Sequence, residues 1–144
     1  MSTVAQLLAR KPKGLQLHSI RPDAPVLEAI RVMAEQGIGA LLVMDGSQLT
    51  GIVSERDYAR KVILKGRSSS DTPVSQIMTS KVTTVRAGQS TNECMSLMTN
   101  GHFRHLPVVE GERVIGMLSI GDLVRAVLEE QQQTIEQLEH YIRS

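Results

Sequence analysis

The sequence predicts a mixed α/β (α+β) fold of two pseudo-symmetric repeats, each ordered strand–helix–strand–strand–helix. Three observations carry this. Residues 19–63 overlay residues 84–128 without a gap, and 11 of the 45 aligned pairs are identical, a signal that precedes any local reading. Within that overlay Gly51-Ile52-Val53-Ser54-Glu55-Arg56-Asp57 returns as Gly116-Met117-Leu118-Ser119-Ile120-Gly121-Asp122. Each copy has an apolar run before it and a helical pattern after it, so a strand feeds a helix start twice. Finally, 144 residues that are 41% hydrophobic but only 2% aromatic describe one domain or two small ones with an aliphatic core. Two copies are too few for an open solenoid, so each half is expected to cover the other's apolar face.

Each element follows from local signals. Val4–Ala9 reads as a short amphipathic helix, and Val74–Met78 repeats its pattern before the second half. Short strands are expected at Leu15–Ile20 and Lys81–Val85. Helices follow at about Pro25–Gln36 and Thr91–Asn100; Pro25 suits an early helical position, and Ser90-Thr91-Asn92-Glu93 fits a capping box. Apolar strands at Ile38–Met44 and Phe103–Val109 turn through Asp45-Gly46 and Glu110-Gly111 into strands at Leu49–Val53 and Arg113–Leu118. A helix runs from Asp57 to about Leu64, and a longer one follows Asp122. Its Val127, Ile135, Leu138 and Ile142 recur by threes and fours, while Gln131, Gln132 and Gln133 interrupt the stripe. That tail is expected to pack on its own body or on a second subunit rather than form a long coiled coil. The divisions are 1–66 for the first repeat with its N-terminal helix, 67–73 for a polar linker, 74–128 for the second repeat, and 129–144 for a helical extension.

Composition removes several functions. A net charge of +1 argues against a broad basic surface for nucleic acid, and the scarcity of aromatics removes stacking platforms. Only Arg10-Lys11-Pro12-Lys13 and scattered arginines speak for nucleic acid. Cys94 is the single cysteine, which leaves no intramolecular disulfide and no cysteine metal cluster. No run reaches the roughly 18 apolar residues of a membrane span, and the first residues lack a basic start followed by an apolar stretch. A soluble, cytoplasmic protein is expected.

The repeated junction places a serine hydroxyl, an aspartate carboxylate and free N–H groups at one helix start. Such a start can hold an anion, or the serine and aspartate can cap the helix. Both can hold together, since one serine cannot satisfy every free N–H. No Ser/His/Asp order, P-loop or Gly-x-Gly-x-x-Gly fingerprint is present, so no enzyme is expected. His102, His105 and Cys94 lack a partner at a metal-ligand spacing, and no metal is expected. His18 and His140 read as surface residues. Cys94 and the methionines read as packing.

Met33 and Met98, Leu41-Leu42-Val43 and Leu106-Pro107-Val108-Val109, the two acidic-Gly turns and the doubled Gly-x-x-Ser-x-x-Asp together resemble the CBS-domain family. Two copies in tandem resemble the unit called a Bateman module, over Val4 to about Val127. The resemblance implies repeats packed sheet to sheet in a stand-alone regulatory module. It also implies clefts between the repeats for an adenosine-containing ligand: AMP, ADP, ATP, NAD or S-adenosylmethionine. Carried over by position, Asp57 and Asp122 take the ribose hydroxyls. Ser54, Arg56, Ser119, Arg104 and His105 face phosphate, while Ser19, Ile38, Gly39, Ala40, Thr84 and Phe103 line the adenine pocket. AMP, ADP, ATP or NAD is the expected ligand, with a homodimer and a separate regulated protein as partners. The competing reading is a dimeric interaction module with vestigial, empty clefts.

Overall fold

The structure, a computed structural model, describes residues 2–11 and 17–143. In chain order its elements are α1 (Val4–Arg10), β1 (Ser19–Ile20), α2 (Val26–Gln36), β2 (Ala40–Asp45), β3 (Gln48–Ser54), α3 (Glu55–Tyr58), α4 (Thr91–Gly101), β4 (His105–Glu110), β5 (Arg113–Ser119) and α5 (Ile120–Arg143). They form two compact units. One comprises residues 17–83 with 112–114; the other combines the described residues before 12 with 84–111 and 115–143.

The first unit is built on β2. Leu41, Leu42 and Val43 are all buried, as a continuous apolar run in a central strand requires. β2 pairs with β1 in parallel and with β3 in antiparallel. Val26, Ala29 and Met33 of α2 bury their shared face, and Gly37 ends that helix at φ 65°, where glycine has no Cβ to strain. Pro25 stands just before the helix rather than inside it. The helix expected to reach Leu64 changes pitch: α3 is four residues, and Ala59–Ile63 continues as a π-helix, Leu64 N–H donating to Ala59 O.

The second unit repeats the plan with α4, β4 and β5, but its first strand is missing. Lys81–Val85 contributes a single bridge, Val85 to Val108. Val85 N–H donates to Pro107 O, and Val109 N–H donates to Val85 O. Pro107 itself has no N–H to give, so the ladder stops there. In the first unit the matching Leu42 N–H donates to His18 O, and the strand survives as Ser19–Ile20. Residues 15 and 16 of the expected first strand lie outside the described residues.

Packing crosses the order of the sequence. α1 precedes the first repeat, yet Val4, Leu7 and Leu8 belong to the core of Val85, Cys94, Met98, Leu106, Leu118 and Leu123. The 3₁₀ turn Val74–Gln76, which precedes the second repeat, heads a segment whose Val74 and Ile77 join the core of the first. This exchange explains the repeated glycine. A Cβ on Gly51 would stand 2.8 Å from Thr79 O, and one on Gly116 would stand 2.7 Å from Leu8 Cδ2. No helix of the described residues is long and apolar enough to cross a membrane.

Candidate functional site: two strand–helix junctions

In each unit the last strand ends in a serine that caps the following helix. Ser54 Oγ accepts from Asp57 N–H at 3.1 Å, and Ser54 N–H donates to Asp57 Oδ2 at 2.9 Å. Ser119 and Asp122 repeat the pattern at 3.2 and 2.8 Å. Both copies are therefore reciprocal capping boxes. The entry to each central strand closes on the same place: Glu55 N–H donates to Gly39 O, and Ile120 N–H donates to Arg104 O. Gly39, Ser54 and Asp57 thus converge in one unit, and Arg104, Ser119 and Asp122 in the other.

Each carboxylate also holds a lysine. Lys61 Nζ lies 3.1 Å from Asp57 Oδ1 and donates to Ile77 O at 2.9 Å. Lys11 Nζ lies 3.1 Å from Asp122 Oδ2 and donates to Met117 O at 2.7 Å. Arg125 adds a contact to Asp122 Oδ1 at 3.1 Å. Burial alone would push the Asp122 carboxyl up, but the Ser119 N–H and the Lys11 ammonium outweigh it and hold it below its ordinary value. Burial pushes the His105 imidazole below its ordinary value; Asp122 opposes that shift, and Lys11 and Arg104 add to it. His105 is therefore mainly neutral at neutral pH, with a single N–H to offer an anion.

The remaining expected site residues fall as follows. Ser19 sits on the edge strand and is exposed, Ile38 is half-buried and Ala40 is buried. Thr84, Arg56 and Arg104 are exposed, and neither arginine makes an ion pair among the described residues. Phe103 packs on the second core, its ring lying where a Cβ on Gly101 would be. Sequence reasoning missed Lys11 and Lys61. Lys61 could have been found as the i+4 neighbour of Asp57, whereas nothing local links Lys11 to Asp122. Cys94 is fully buried, and burial with Glu93 beside it pushes its thiol up. Among the described residues no group of three His, Cys, Asp or Glu side chains is placed to hold a metal.

Two like units, each ending its last strand in a Ser- and Asp-capped helix, make this a tandem-repeat α/β protein. The family model for the CBS domain matches residues 4–64 and 74–129, and the chain belongs to that family. It is 44% identical over 126 residues to the mitochondrial CBS domain-containing protein CBSX3 of Arabidopsis thaliana, covering 84% of this chain and 61% of that one. It covers only 21% of another Arabidopsis relative, CBSCBSPB5, at 38% identity over 117 residues. A CBS-domain protein structure from Burkholderia ambifaria is 54% identical, with a TM-score of 0.87 over 90% of this chain and 96% of that one. The CBS domain pair of MJ0100, solved with 5′-methylthioadenosine and S-adenosyl-L-methionine, shares the fold at 22% identity and a TM-score of 0.79, covering 90% and 98%. The chain is a CBS-domain pair, a regulatory module.

Proposed function

We propose that this CBS pair binds an adenosine nucleotide, AMP, ADP, ATP or NAD, at its two Ser/Asp junctions and passes the event to a homodimer or a separate partner protein. The observation that carries the reading is the duplicated convergence of strand entry, capping serine and aspartate. A carboxylate offers acceptors for the two hydroxyls of a ribose. The helix start beside it favours a phosphate. Arg56 at one junction and Arg104 at the other are exposed cations that can fork onto phosphate oxygens. The complex of MJ0100 with two adenosine-containing ligands supports the ligand class in a protein of the same fold. Thermal unfolding with each nucleotide tests it. A ligand at a hundred times its Kd should add about 2.7 kcal/mol of stability; silence from all four at millimolar concentration refutes it.

One observation favours an interaction module instead. Leu128, Ile135, Leu138 and Ile142 of α5 are exposed along the helix. In that reading Ile135→Ser with Leu138→Ser abolishes an oligomer seen by light scattering, and nucleotides change nothing.

A further inference from the structure

The two lysines at the junctions are not copies of one another. The overlay of the repeats puts Ala126 where Lys61 stands, and Ala126 is buried. Lys61 reaches Asp57 from one turn along its own helix and ties it to Ile77 O. Lys11 reaches Asp122 from the end of α1, 111 residues away, and ties it to Met117 O. The same contact, an ammonium shared between the motif aspartate and a main-chain carbonyl, has thus been built from two unrelated positions.

A plain strut would account for either lysine alone. Two independent struts that both end on the motif aspartate point to a requirement at that carboxylate. At Asp122 both oxygens are engaged: Oδ2 by Ser119 N–H and Lys11, Oδ1 by Arg125. A ribose diol donating into this carboxylate competes with the ammonium. Lys11 then keeps only Met117 O, and its ammonium is free to pair with another anion nearby. A nucleotide brings that anion in its 5′-phosphate. Adenosine does not, and a sulfonium-bearing adenosine brings a further positive charge into a site already holding Lys11, Arg125 and the neighbouring Arg104.

We propose that Lys11, with Lys61 as its counterpart, is a specificity-determining residue. It holds the aspartate in the empty site and passes to the ligand's phosphate on binding, so that phosphorylated adenosines are taken over neutral or sulfonium ones. This rests on the adenosine-binding reading above.

The test is calorimetric titration of the full chain carrying Asp57→Asn, which leaves the second junction intact, with AMP, adenosine and S-adenosylmethionine. AMP should bind at least about tenfold more tightly than either of the others, the worth of one charge-assisted contact. Adding Lys11→Gln, which keeps a donor for Met117 O, should weaken AMP about tenfold while adenosine holds or tightens. Lys11→Arg should retain the preference for AMP. Equal weakening of AMP and adenosine by Lys11→Gln makes the lysine a strut and overturns the inference, as does adenosine or S-adenosylmethionine matching AMP with Lys11 intact. Both outcomes leave adenosine binding standing. Absence of binding by these three and by ADP, ATP and NAD to the otherwise natural chain removes the adenosine reading and this inference together.

Discussion

Lys61 Nζ lies 3.1 Å from Asp57 Oδ1, and Asp57 in turn accepts Ser54 N–H at 2.9 Å. The carboxylate therefore serves two structural partners, with 14% of its side chain exposed against 43% for the lysine. Its two contacts differ in worth, because a helix cap is more valuable than an i,i+4 pair with a half-exposed lysine. Asp57→Ala should cost about 1 kcal/mol, and Lys61→Met about 0.5 kcal/mol or less. Urea unfolding of the two variants checks the order. The cap also means that ligand effects on Asp57→Ala must be read against that variant's own ligand-free baseline.

The motif glycines should respond unequally to alanine. At Gly51 the new methyl meets Thr79 O, a backbone atom in a paired bridge with Ile52. At Gly116 it meets only the end of Leu8, a side chain that can turn aside. Overpacking costs about 1–3 kcal/mol where the surroundings cannot yield. Gly51→Ala should fall in that range and Gly116→Ala below it. Equal losses in chemical denaturation would contradict this account of the motif.

His102 should be improvable. It closes α4 at φ 57°, the position that Gly37 fills for α2 at φ 65°. A left-handed residue with a Cβ is strained, and the exposed His102 side chain makes no hydrogen bond among the described residues that would be lost. His102→Gly is expected to raise the melting temperature, with a gain of up to about 1 kcal/mol. A lower melting temperature would show that the ring has a role.

Acid should loosen the second unit before its carboxylates titrate. The folded His105 pKa lies below its unfolded value of about 6.5, so the unfolded chain binds more protons between the two. Stability is therefore full above about pH 6.5 and declines as pH falls from there towards the folded pKa. Asp122, whose folded pKa is also depressed, withdraws its contribution only at lower pH, beneath its ordinary carboxylate value. His105→Gln should flatten the decline below about pH 6.5, followed by thermal unfolding across pH. A bound phosphate beside His105 should act oppositely, raising its pKa, which proton NMR of the ring can follow.

Much of this was legible in the chain. Periodicity located α2, α4 and α5, and the acidic-Gly pairs located both hairpins, whose Gly46 and Gly111 adopt φ 62°. The Ser-x-x-Asp spacing announced the capping boxes. What stayed hidden was tertiary. Val4 and Val74 look alike in sequence, yet no local signal says that each completes the core of the other repeat. Lys11 and Asp122 are joined only by folding. Lys81–Val85 has the composition of a strand, and a proline on its partner decides against it.

That exchange of segments has a consequence for synthesis. The unit built on β2 draws its core from Ile20 to Ile77, a stretch that leaves the ribosome in one piece and can close early. α1 emerges long before Leu118, Leu123 and Ala126 and must wait for them. At about 5–20 residues per second, the newborn chain carries Val4, Leu7 and Leu8 uncovered for several seconds. α1 is thus made well before the strand and helix that cover it.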